Sequence, residues 1–259
     1  MTHATWSAAR CYALEARYEF LKVVRMPAYA IPSVTFPVMF YVLFGLSFGG
    51  GRPVGRTTIA TYLLATYGAF GVIGAALFGF GVGLAVERGQ GWMMLKRATP
   101  MPPFAYFTAK LVMCALFSVV IVGLLSFLGA AFGGVVMAPA SWARLWISLV
   151  AGALPFCALG MAIGYFAGPN SGPPLVNLLY LPTSFASGLW VPLEGLPKAV
   201  QAFAPYLPPY HLGQLALQAI GAGRGAPAWA HIVALAGFTL IGLGLALWGF
   251  ERDEDKTWG

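Results

Sequence analysis

From Met26 to Gly51, and again from Thr57 to Val86, the chain carries no charged side chain at all. A helix rises 1.5 Å per residue, so about 20 such residues cross a hydrocarbon core of roughly 30 Å. Uninterrupted apolar runs of this length have few places to go in water. Charged residues make up 9% of the 259 and hydrophobic residues 59%, whereas soluble domains are about 25% charged. A surface for water cannot be assembled from that, and lipid becomes the solvent of choice. The predicted fold is an all-α integral membrane protein, with residues 1–259 forming one transmembrane domain of six transmembrane helices.

The run boundaries predict spans at 27–50, 58–86, 104–133, 143–167, 174–192 and 227–250. Pro182 should kink the fifth. Ahead of the first run, residues 5–25 interleave charges with apolar residues at helical spacing. On a wheel of about 100° per residue, Tyr12, Ala16, Phe20 and Val23 share a face with Trp6, Ala13 and Val24. Glu15, Glu19, Lys22 and Arg25 fall opposite, which predicts an amphipathic helix lying in the headgroup region with those four in water. Residues 193–226 mix prolines and charges with Val200, Phe203, Tyr206, Leu212 and Leu215. Two short re-entrant helices are predicted there, since a non-spanning segment at membrane depth must satisfy its backbone internally.

The net charge of +7 lies mainly in the short segments between runs, as orientation signals do, rather than on one face, so nucleic acid is not expected as a partner. Placing the N-terminus inside puts Arg10, Arg17, Lys22, Arg25, Arg88, Lys96, Arg97, Lys110, Arg252 and Lys256 in the cytoplasm, with both termini cytoplasmic and residues 193–226 extracellular. Lys110 should snorkel from its run toward the interface. The stretch before the first run lacks the form of a cleavable signal peptide. Cys11, Cys114 and Cys157 are too scattered for a disulfide framework or a zinc site, and no metal site is predicted.

No phosphate-cradling GxxxxGK[ST] occurs, so ATP and Mg chemistry would have to come from another chain and no cofactor is expected on this one. Gly45-Leu46-Ser47-Phe48-Gly49 matches a serine-hydrolase elbow, but that motif works on a strand-to-helix turn and these residues lie in an apolar run. The same glycines, like Gly79 with Gly83, Gly129 with Gly133 and Gly160 with Gly164, suit close helix packing. An intramembrane hydrolase using Ser47 and His211 is one alternative. An ion-coupled secondary carrier is another, although no Asp or Glu lies between Glu19 and Glu87 or between Glu87 and Glu194, and such carriers usually need intramembrane carboxylates. A scaffold that transports nothing is a third.

The loop 87–103, Glu-Arg-Gly-Gln-Gly-Trp-Met-Met-Leu-Lys-Arg-Ala-Thr-Pro-Met-Pro-Pro, exposes a Trp and two Met where a plain turn would not, which points to a docking partner. With the N-terminal amphipathic helix, with Ser187-Gly-Leu-Trp-Val-Pro-Leu-Glu-Gly-Leu-Pro197 and with Tyr206-Leu-Pro-Pro-Tyr-His211, this loop makes nearly the whole chain resemble a permease of type-2 exporter-class ATP-binding-cassette transporters. It departs from the family in having Trp92-Met93-Met94 where a longer polar run is common, and in its short first external loop. The resemblance implies a multi-pass subunit of the inner, cytoplasmic membrane that pairs with a second permease copy or close relative, embedded in membrane lipid and coupled to separate ATPase subunits. It implies a coupling helix whose contacts would come from Glu87, Arg88, Gly91, Trp92, Leu95, Lys96, Arg97 and Pro100. It also implies a pathway near spans one, two and five, with Phe40, Tyr41, Phe44, Tyr67, Tyr180, Phe185 and Trp190 as lining candidates. A charge-free aromatic lining suits export of a drug or lipid-linked molecule.

Overall fold

A computed structural model describes residues 8–49, 51–99, 101–102 and 104–257. They form an α-helical bundle whose only strands among those residues are a two-residue hairpin, Pro53–Val54 with Thr57–Thr58, turned at Gly55 with φ +60°. Helix α1 (Ala8–Val24) leads into α2 (Pro27–Phe40), which starts on a proline, where a missing N–H costs nothing. Pro32 and Pro37 then interrupt the i→i−4 ladder, and beyond them Tyr41–Gly49 winds as a wider π-helix. Thr58 caps the next helix by accepting from the Thr61 amide at 3.3 Å. That helix, α3 (Ile59–Leu77), passes through a π-helical stretch at Phe78–Val82 into α4 (Gly83–Gly89).

The short α5 (Trp92–Arg97) follows, entered through Gly91 at φ +75°, a conformation that only glycine adopts cheaply. Next come α6 (Ala105–Phe132), α7 (Pro139–Ala151), α8 (Leu154–Phe166) and α9 (Gly172–Ala186). Helices α7 and α8 form one traverse, broken beside Pro155. Helix α9 continues through Pro182 and stops before Gly188 at φ +77°. After it lie α10 (Lys198–Phe203), α11 (Pro208–Ala219) and α12 (Ala228–Thr257).

Helix α3 is the axis of the bundle: every residue from Ala60 to Leu77 is buried. It can be so enclosed because small residues let neighbours close in. A Cβ on Gly160 of α8 would lie 3.2 Å from both the Ala76 carbonyl and the Gly81 amide. The outward faces are the reverse, with Phe127, Ile147, Leu178 and Leu240 all at least 64% exposed. Such a surface is unusable in water and ordinary in lipid. Among the described residues, five helical stretches are long and apolar enough to cross a membrane: Tyr29–Phe48, Ile59–Gly89, Ala105–Phe132, Pro139–Phe166 and Ala228–Arg252. The chain is a multi-pass α-helical membrane protein.

Candidate functional site

Helices α1, α4 and α6 meet at the end of the bundle that carries α5, and they meet through charge. The Lys110 ammonium, from α6, donates to Glu19 Oε1 at 2.8 Å and to Glu87 Oε1 at 3.0 Å. Lys22 donates to Glu19 Oε2 at 2.5 Å and also to Glu87 Oε1. The Tyr106 hydroxyl donates to Glu87 Oε2 at 2.5 Å, and its ring lies 5.1 Å beneath the Lys110 ammonium. Glu19, Glu87 and Lys110 are buried, with Lys110 only 1% exposed. Two carboxylates and two ammoniums thus offset one another, which is the condition on which buried charge is tolerated.

Two expectations fail at this cluster. Glu19 does not face water: it shares the buried side of α1 with Val23, while Val24, expected on the apolar face, is exposed. Lys110 does not snorkel, because two carboxylates within the bundle hold its ammonium. The wheel assigned Glu19 to water on charge alone, and the partner that holds it inside the bundle, Lys110, lies 91 residues away.

Arg88, next to Glu87, turns the other way. Its guanidinium donates to the Gly164 and Tyr165 carbonyls at 2.7 and 2.8 Å, near the last turn of α8, and lies 5.4 Å over the Tyr165 ring. It satisfies carbonyls that the helix end leaves without intrahelical donors. Glu87 and Arg88 therefore bind within the chain, not outward as their assignment to a partner contact required. The exposed side of α5 is carried by Trp92 (49%), Met94 (64%) and Leu95 (71%), while Met93 packs against the buried cluster that contains Leu84, Tyr106 and Tyr165. Gly91 provides the turn. Lys96 and Arg97 belong to α5, their side chains not described; Pro100, like Trp6, lies outside the described residues.

Along the groove between α2, α3 and α9 the chemistry changes to aromatic rings. Phe40 lies 5.1 Å from Trp190, 6.2 Å from Tyr67 and 6.2 Å from Phe44. Phe70 stacks on Tyr180 at 4.7 Å and meets Trp190 edge-on at 5.4 Å. The Tyr67 hydroxyl donates to the Trp190 carbonyl at 3.3 Å, and that of Tyr180 to the Phe70 carbonyl at 2.8 Å. A cavity of about 270 Å³ opens beside them, lined by Phe44, Phe48, Tyr62, Tyr67, Phe185 and Trp190. A second, of about 240 Å³, lies further along the groove among Tyr29, Ser33, Phe36, Asn177 and Tyr180.

Of the seven lining candidates, six meet in this groove. Tyr41 does not: it is fully buried, with its hydroxyl against Gly129 and Gly133 at the far end of α6. Phe70 and Phe78 join the groove unexpectedly. Their rings look like any apolar residues of a long run, and no local signal separates them.

Ser47 and His211 do not meet. The Ser47 hydroxyl donates to the Val42 carbonyl at 3.0 Å, five residues back as a π-helix places it. His211 Nδ1 lies 3.0 Å from His231 Nδ1, and His211 Nε2 donates to the Pro205 carbonyl at 3.0 Å. A hydroxyl and an imidazole so engaged make no nucleophile–base pair.

Comparison with known proteins bears on the whole bundle. Residues 52–248 match the model of the family described as ABC-2 family transporter protein. The chain is also similar to the "Putative transport permease YvfS" of Bacillus subtilis (strain 168), with 28% identity over 223 residues, covering 86% of this chain and 90% of that protein.

Proposed function

The chain belongs to the ABC-2 transporter family as a permease subunit, and from that premise we propose that it pairs with a second copy or close relative, recruits two separate ATPase subunits and exports an amphiphilic molecule across the cytoplasmic membrane. The observation that carries this reading is the construction of the loop after the second long span. One side of it is fastened into the bundle by Glu87 and Arg88, and the other presents Trp92 and Leu95 outward. A short helix so anchored passes a push on its exposed face to α3, α6 and α1 together. ATP-driven closure of the ATPase subunits would shift the permease between two arrangements through that differential contact.

The loop 87–103 is then the coupling helix on the cytoplasmic side, with both termini there and residues 193–226 re-entrant on the outside. Helix α9 completes six crossings. It begins beside Ala85 of α4 and leads to Trp190 beside Tyr67, and α8 and α12 can be joined only by a segment that returns the chain across the bundle. At 15 residues it covers about 22 Å, with Ser187–Trp190 adding the remainder. The groove of Phe40, Tyr67, Phe70, Tyr180 and Trp190, free of charge, is the pathway surface.

The test is copurification of the full-length chain from its native membrane. A nucleotide-binding ATPase is expected to accompany the wild type and to be lost from Trp92→Glu/Leu95→Glu. The unfolding free energy of the isolated permease should change by less than about 0.5 kcal/mol, since both sites are exposed. ATPase assembly and ATP-dependent transport unaffected by the double substitution would end the coupling reading.

A further inference from the structure

Between α1, the start of α2, and α3–α4 lies a cavity of about 330 Å³, lined in part by Glu87 and Trp92, whose interior has no part in the coupling argument. That is within the range of small-ligand cavities, about 300–1,000 Å³. Its walls are mostly apolar, with Val23, Met26, Phe78, Val82 and Val86 among them. At one side stands the ion cluster, and Gln90 and Trp92 stand at the rim.

The cluster restricts what this cavity can take. Each of the four carboxylate oxygens of Glu19 and Glu87 already accepts a hydrogen bond. Lys22 and Lys110 already offset the charge of both carboxylates, so the cluster has no net negative charge to draw in a further cationic group. An ammonium carries three N–H bonds, and Lys22, which is 30% exposed, gives two of them to Glu19 and Glu87. The remaining donor, the Gln90 amide and the Trp92 indole N–H are what the polar side of the cavity offers.

Location supplies the second restriction. The cavity lies where an amphipathic helix joins a transmembrane one, and this is the depth of lipid headgroups. Its apolar floor suits glycerol and the first acyl carbons. We infer that it is a binding site for one anionic phospholipid of the surrounding leaflet, its phosphate on Lys22, Gln90 and Trp92 and its glycerol end among Val23, Met26 and Val82. A zwitterionic headgroup is the poorer ligand, because its cation would lie beside the Lys22 ammonium with both carboxylates already offset. The lipid is resident rather than cargo, and it braces α1 against the loop that carries Trp92. This site depends on the membrane reading but not on coupling to an ATPase.

Native mass spectrometry of the detergent-purified full-length chain, offered equimolar phosphatidylglycerol and phosphatidylcholine, tests it. One phosphatidylglycerol adduct is expected, favoured at least fivefold. Lys22→Gln should bring the two lipids to parity, and Val82→Phe, which fills the cavity away from the charges, should reduce the adduct at least fivefold. Val86→Phe fills the same space and decides the matter if Val82→Phe misfolds. Equal retention of both lipids by the wild type would overturn the proposal, as would adducts undiminished in the filled variants. Displacement by millimolar inorganic phosphate would show a free-anion site instead and equally end it. Lipid preference lost while an ATPase still copurifies counts against this inference alone; the reverse outcome counts against the coupling reading alone.

Discussion

The two ends of the α2–α3 pair are held by opposite kinds of chemistry. Toward α5, four charges from α1, α4 and α6 offset one another, and Lys22 and the buried Lys110 each join both carboxylates. Toward Trp190, five aromatic rings share the contact and no single one is indispensable: Phe40 touches Tyr67, Phe70 and Trp190, and Phe70 touches Trp190 and Tyr180. A buried ion cluster is nearly all-or-none, since removing one member leaves its partners charged and unpaired. A ring cluster degrades gradually, as each face loses part of its packing. The first arrangement fixes geometry, as the proposed transmission of a push from α5 requires. The second tolerates rearrangement, as the proposed pathway surface requires.

The largest effect is therefore expected from Lys110→Met, which leaves Glu19 and Glu87 with Lys22 alone. The loss should be about 3–5 kcal/mol, read as a lower unfolding temperature in detergent or failure to accumulate in the membrane. Adding Glu19→Gln should recover a large part of it, because the stranded charge and not the lost methylene packing is the cause. If Lys110→Met proves as mild as a ring substitution, the contrast between the two ends collapses.

A ring substitution is the middle case. Phe70→Leu keeps most of the volume but gives up the stack on Tyr180 and the edge contact with Trp190, at a cost of about 1–2 kcal/mol. Substrate-stimulated ATP hydrolysis by the assembled complex should change with it, while copurification of the ATPase should not. An effect as large as that of Lys110→Met would mean that the aromatic groove is as exacting as the ion cluster.

The helical membrane architecture could be read from the sequence because uncharged run length is a direct consequence of bilayer thickness. The exposed apolar face of α5 was equally legible, since Trp92 and Leu95 sit in a charged loop away from the long apolar runs. The ion cluster was not, although its components were visible as solitary charges: Lys110 inside a long apolar run, and Glu87 the only acid between Glu19 and Glu194. Amphipathic patterning is a local rule that sends every charge to water, and this cluster includes pairings 65 and 91 residues apart. A lone charge in an apolar run is better read as half of an unseen pair. The meeting of Phe70 with Tyr180 has no comparable signal, as both belong to runs where any large apolar residue would fit.

The smallest effect is expected at the opposite end of the bundle, where His211 of α11 faces His231 of α12. Because His211 Nε2 donates to the Pro205 carbonyl, its neutral Nδ1 must accept, and the proton between the two rings belongs to His231 Nδ1. Burial lowers the pKa of His211 below its ordinary value, opposed in part by the Pro205 carbonyl. The folded state thus prefers the neutral ring, and its contribution is fully present above the unfolded pKa of about 6.5. It declines as pH falls through the lowered folded value, when a second Nδ1–H would oppose the one already there. Tyr210 is the other titratable side chain against the pair. Unfolding temperature should therefore drop modestly between pH 7 and pH 5 in the wild type, and the drop should shrink in His211→Gln, which retains a donor for Pro205. An unchanged pH profile in that variant would show that the imidazole pair contributes packing rather than a proton-dependent bond.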